Sequence, residues 1–192
     1  MKTNIYILSI ICSIFIVTSC RSIRETKALQ DCSYSLSNIS NLEVNGISLN
    51  GKQNLRDLKV QESSRISQAI MARKIPISLT AHVRVHNPNA HKAALNNLDW
   101  KLLLRNQKVA DGTISDRYEI NPNETVDIPI SIVTDIGSIL KVFSVKELTS
   151  MVFSMSSIQT LSKDVQLKIK PSIRVGKMSI KSPAFFSVDI PQ

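Results

Sequence analysis

Cysteine is nearly absent from this chain. Three occur in 192 residues, at Cys12, Cys20 and Cys32, so no disulfide framework holds the fold. Glycine is scarce as well, with 5 in total. No phosphate-cradling loop, dinucleotide fingerprint or Gly-x-Ser-x-Gly elbow occurs, which removes the best-marked nucleotide enzymes and hydrolases. Histidine appears 3 times, at His82, His86 and His91, with no cysteine cluster beside it. Aromatic residues make up 5% and are not interleaved with basic ones, so the chain lacks the stacking platform of a single-strand nucleic-acid binder. Nor does any apolar run reach the roughly 20 residues that a membrane-spanning helix needs.

What is there begins at the N-terminus. Lys2 precedes an apolar run over residues 5–17, which is short for a span and suited to the core of a signal peptide. The run ends in Val17-Thr18-Ser19-Cys20, which resembles the bacterial lipobox. Residues 1–19 are therefore expected to be removed, leaving Cys20 as the first mature residue and the carrier of acyl chains such as palmitate. Each buried methylene contributes about 0.8 kcal/mol, so two or more chains anchor a protein stably. Residues 20–35 read as a lipidated tether and 36–192 as one domain, large enough to bury a core. No acidic run follows Cys20, which points to the periplasmic face of an outer membrane.

The formal charge is +9, of which the signal peptide contributes only Lys2. Export disfavours nucleic acid as the partner of such a basic chain. Anionic envelope components fit better, although the basic residues look scattered along the sequence.

Period-two alternation dominates the domain. Leu36–Leu49 reads as extended structure with Asn45-Gly46 as a turn. Leu58, Ile66, Ala69 and Ile70 fall at helical spacings, and Ser63-Ser64 offers a cap for a helix over 65–74. Ile75, Ile77, Leu79, Ala81, Val83 and Val85 then alternate with Ser78, Thr80, His82, Arg84 and His86, the pattern of a strand buried on one face. Asn87-Pro88-Asn89 ends it. Leu98, Trp100, Leu102 and Leu104 point inward on the next strand, Arg105–Lys108 turns, and Val109–Ile114 returns. Asn121-Pro122-Asn123 leads into Val126, Ile128, Ile130 and Ile132, with Pro129 marking an edge strand or bulge. Ile136–Met155 loses the period of two and suits one or two helices. Strands are expected again at 165–169, 173–175 and 184–190. Short strands separated by frequent turns indicate an all-β sandwich.

Val83–Asn89, Leu98–Leu102, Val109–Gly112, the Ile120-Asn121-Pro122 step and Ser172–Gly176 together resemble the late embryogenesis abundant type 2 family, known also as the water-stress and hypersensitive response domain. The resemblance runs over about 36–190 and is strongest to bacterial lipoproteins described as desiccation-related. It implies an immunoglobulin-like antiparallel β-sandwich of about seven strands with one or two accessory helices, and no assigned catalytic residue. Its marked positions, Asn87, Pro88, Asn89 and Gly112, are turn and close-packing residues.

Chemistry is hard to find. His82 and His86 are four residues apart on a strand, about 13 Å, too far to share one zinc. His91 in the following loop adds little. Asp111 and Asp116 form no defined pair, and Trp100 among leucines reads as core. The expectation is a non-enzyme with no metal and no cofactor, anchored through Cys20, in a binding or stabilising role related to stress or desiccation. A carrier of lipid or another apolar ligand, with its pocket under the 136–155 helix, is the alternative.

Overall fold

A computed structural model describes residues 28–52, 54–72, 75–141, 143–144, 146–147, 164–175 and 178–190. Cys20 and the signal segment lie outside them. So do residues 148–163, which carry the second half of the apolar stretch expected to be helical.

Two antiparallel sheets face each other. The first runs β2-β1-β3-β8, built from β1 (Ser33–Val44), β2 (Ile47–Ser48), β3 (Pro76–His86) and β8 (Thr125–Asp135). The second runs β10-β9-β5-β6, from β5 (Asn97–Leu104), β6 (Gln107–Ile114), β9 (Val165–Val175) and β10 (Met178–Lys181), with β11 (Phe186–Ser187) also on β9. A two-stranded ribbon pairs β4 (Ala93–Leu95) with β7 (Tyr118–Ile120) at one end. Seven of these strands are four residues or longer, as the expected sandwich requires.

Alternation became burial where it was clearest. Ile75, just before β3, and Ile77, Leu79, Ala81, Val83 and Val85 within it are all buried, facing Leu98, Trp100, Leu102 and Leu104 of β5 across a single core. Asn45 and Gly46 both take positive φ (52° and 70°), the geometry of the two-residue hairpin turn that matches strand twist. The β5–β6 hairpin uses the same turn at Arg105-Asn106 (φ 47° and 64°), tighter than the four-residue turn expected. Pro129 pairs with His82 on edge strand β8, where a missing N–H costs no ladder bond.

Three expectations are corrected. The helix begins earlier, α1 (Val60–Ala72), because Glu62 accepts the backbone N–H of Lys59 and caps it in place of Ser63-Ser64. The strands expected at 165–169 and 173–175 are one, since Pro171 sits in register opposite Leu98 without breaking β9. The expected 184–190 strand shrinks to Phe186–Ser187 and a bridge from Asp189 to Ser35. β10 had no expectation at all. Of the 136–155 stretch, the described residues contain the short α2 (Ile136–Ile139) and helical residues 146–147, with Ile139 and Phe143 buried in the core.

The sheet edges are stitched at both sides. Thr134 Oγ1 of β8 donates to the Val109 carbonyl of β6 at 2.9 Å. On the other side Asp189 N donates to the Tyr34 carbonyl, and Leu36 N to the Asp189 carbonyl, both at 2.8 Å.

Candidate functional site

The residues that sequence singled out do not converge on one site. Asn87, Pro88 and Asn89 lie at one end of the first sheet, and Gly112 lies in the middle of the second.

Asn87 follows β3 and is fully buried. An amide there needs partners for two N–H groups and its carbonyl oxygen, since leaving a buried polar group unmade costs about 1–3 kcal/mol. It finds all of them. Nδ2 is shared among the carbonyls of His91, Ile120 and Asn121 at 2.9, 3.0 and 3.1 Å. Oδ1 accepts from the Asn89 backbone N at 3.1 Å and from Asn89 Nδ2 at 2.8 Å. Its backbone N donates to Glu124 and its carbonyl accepts from Asn123. One side chain thus fixes the loop after β3 against the loop before β8.

The N-terminal segment docks onto this hub. Residues 28–31 form a helical turn, and Ala28, Leu29, Cys32 and Tyr34 are all buried. Residues 28–35, expected as tether, therefore already belong to the packed domain. Asn89 Nδ2 reaches the Ala28 carbonyl at 3.0 Å, and the Tyr34 hydroxyl donates to the Leu29 carbonyl at 2.7 Å. The Cys32 thiol donates to the Ala28 carbonyl at 3.2 Å and lies 4.0 Å from Asn87 Oδ1. Burial, helped by the charge of Asp31, pushes that thiol up to about 11. It is therefore neutral and a poor nucleophile at physiological pH. Burial also raises the Tyr34 hydroxyl, with Cys32 adding to the shift.

Beside the helical turn runs a shallow groove lined by Leu29, Gln30, Pro171, Ile173, Ile180, Ser182 and Phe186. Its volume of about 10 Å³ suits one water molecule and no acyl chain. Ser182 Oγ on its wall is buried with no hydrogen-bond partner among the described residues.

Gly112 answers a packing need. It stands in register opposite Trp100, and a Cβ there would meet Trp100 Cζ2 at 2.7 Å and Cε2 at 2.9 Å. The indole lies over the glycine, so the two residues act as one packing unit. Trp100 itself is core, as its leucine neighbours indicated.

The remaining candidates are occupied locally. His82 Nε2 lies 2.9 Å from Ser40 Oγ, and His86 Nδ1 lies 3.0 Å from Thr125 Oγ1. Asp111 is ion-paired with Lys108 at 2.9 Å. Glu119 is held down at about 2 by hydrogen bonds from Lys92 and Arg117. Glu147 is held at about 2 by Arg105 and Ser144. Among the described residues, no group of three or more His, Cys, Asp or Glu is placed to hold a metal ion, and no helix is long and apolar enough to cross a membrane.

A feature that sequence reading missed is the outer face of the second sheet. Lys101, Lys168, Lys170 and Lys181 come from three strands and look scattered in the chain. Register places Lys101 directly opposite Lys168 and sets Lys170 opposite Asp99. The only sequence signal was the alternation Gln166, Lys168, Lys170, which marks one outward face of β9.

Among known proteins, a family model described as late embryogenesis abundant protein matches residues 82–191. The match is shorter at its start than the 36–190 expected. Similar solved structures include a protein from Archaeoglobus fulgidus (14% identity, TM-score 0.37, covering 58% of this chain and 82% of that one). Another is a protein from Arabidopsis thaliana (14% identity, TM-score 0.36, covering 62% and 74%). A third is a candidate late embryogenesis abundant protein solved in solution (15% identity, TM-score 0.35, covering 98% and 89%). No curated protein matches the chain.

Proposed function

The chain belongs to the late embryogenesis abundant protein family, and on that premise we propose that it is a non-enzymatic lipoprotein of the cell envelope, held on a bilayer by acyl chains on Cys20. Its role is binding or stabilisation under stress such as desiccation. It sits on the periplasmic face of an outer membrane.

The observation that carries the anchor is the apolar run ending in Val17-Thr18-Ser19-Cys20. The docking of Ala28–Tyr34 onto the Asn87–Asn89 hub supports it, because the packed domain then starts within eight residues of the lipid site. A fully satisfied polar hub and a protonated thiol give the domain a rigid end and leave no activated nucleophile there.

Cys20→Ala tests the anchor. Expressed in a bacterium and fractionated, the wild-type chain is expected to pellet with membranes and to require detergent for release. The variant is expected to lose the lipid-dependent part of that retention and to keep its uncleaved leader. Equal membrane retention of a processed Cys20→Ala chain would contradict the reading.

A further inference from the structure

We propose that the outer face of the second sheet, around Phe185, docks on an anionic phospholipid bilayer surface; this deepens the anchored reading above and rests on it for its geometry. Lys101 and Lys168 stand opposite each other on β5 and β9, and like charges in that position destabilise a sheet. Among the described residues neither has an ion-pair partner, while Lys170 stands opposite Asp99 and helps lower its carboxyl without a contact ion pair. The nearby carboxylates are already taken. Asp99 accepts from Lys181 at 2.5 Å and from Thr113 at 2.8 Å, and Asp111 pairs with Lys108.

An exposed aromatic ring lies in the middle of this charge. Phe185 is 37% exposed, with Lys101 Nζ at 4.0 Å and Lys170 Nζ at 5.6 Å from its ring centroid. Lysines with half-buried stems around an apolar ring suit an interface in which phosphates meet the ammonium groups and the ring enters the headgroup layer.

The tether arrives at the neighbouring edge of the sheet: Leu29 lines the groove together with Ile180 and Phe186, which shares the inward side of β9 with Ile169 and lies one residue from Phe185. From Ala28 back to Cys20 is eight residues, which can span at most about 29 Å. A lipidated Cys20 therefore keeps this face within reach of the bilayer at a high effective concentration.

The test is amine labelling read by peptide mass spectrometry. Full-length protein is reconstituted on vesicles of phosphatidylcholine alone or mixed with phosphatidylglycerol. Labelling of Lys101, Lys168, Lys170 and Lys181 should fall about fivefold on the anionic vesicles, the factor expected for one lysine near such a surface. Exposed Lys59, just before α1 and on neither sheet, should not change. The double variant Lys168→Glu, Lys170→Glu should abolish the protection of Lys101 and Lys181. Equal labelling on both vesicle types would overturn the proposal. Lipidated Cys20 with unprotected lysines removes the face and keeps the anchor. Protection on anionic vesicles without lipid on Cys20 keeps the face and removes the anchor.

Discussion

The two sheets share one core and differ on their outer faces. On the first sheet, polar side chains satisfy one another: Ser40 with His82, Thr125 with His86, Ser37 with Asp127, and Arg84 opposite Asp127. On the second, lysines crowd an exposed phenylalanine and two of them oppose each other. A face whose groups pair internally serves the fold. A face that holds unpaired like charges gives up some stability, and such a face is open to an oppositely charged partner.

Breaking each sheet where it is most constrained gives the largest effects. Asn87→Ala, at the end of the first sheet, strands three carbonyls and the Asn89 amide. It should cost of order 3 kcal/mol in urea unfolding. A loss under a few tenths would show that solvent replaces the hub freely. Gly112→Ala, within the second sheet, drives a Cβ into Trp100. The expected loss is about 1–3 kcal/mol, with a shifted Trp100 fluorescence spectrum. An unchanged spectrum and midpoint would mean that the strand relaxes away.

Alkaline pH probes the N-terminal dock. The unfolded chain releases the Cys32 proton near 9, whereas the folded chain holds it to about 11. Stability is therefore complete below pH 9 and falls as pH rises through that window, with Tyr34 acting in the same direction. Cys32→Ala should make the fall shallower; an identical pH profile would remove Cys32 as a cause.

The smallest effects have opposite signs on the two faces. Lys168→Glu places unlike charges opposite each other on the second sheet and should stabilise it by about 0.2–1 kcal/mol. Arg84→Glu places like charges opposite each other on the first sheet and should cost a few tenths, given the exposure of the pair. Matching signs would erase the contrast between the faces.

Legibility followed local physics. β3, β5 and β8 were readable because each buries one face, so alternation in the chain is alternation in space. Asn45-Gly46 and Gly112 were readable because few other residues suit those positions. The turn at Arg105-Asn106 was readable in place but not in length, since arginine at positive φ carries no signal for a two-residue turn. β10 is only four residues long, too short for its Met178-Ser179-Ile180-Lys181 alternation to stand out, and β9 conceals Pro171 within a continuous strand. The lysine face was invisible for a different reason: Lys101 and Lys168 meet only through the register of two strands distant in sequence. Asn87 was read as a turn residue, while its role as a hub depends on Ile120 and Asn121, which sequence cannot bring to it.

The proposed lipid on Cys20 would hold this domain at a membrane. The most direct measurement is the mass of the N-terminal peptide from protein extracted with detergent from bacterial membranes. The expected result is a peptide beginning at Cys20 and carrying acyl chains. A peptide that begins elsewhere, or an unmodified Cys20, would contradict it.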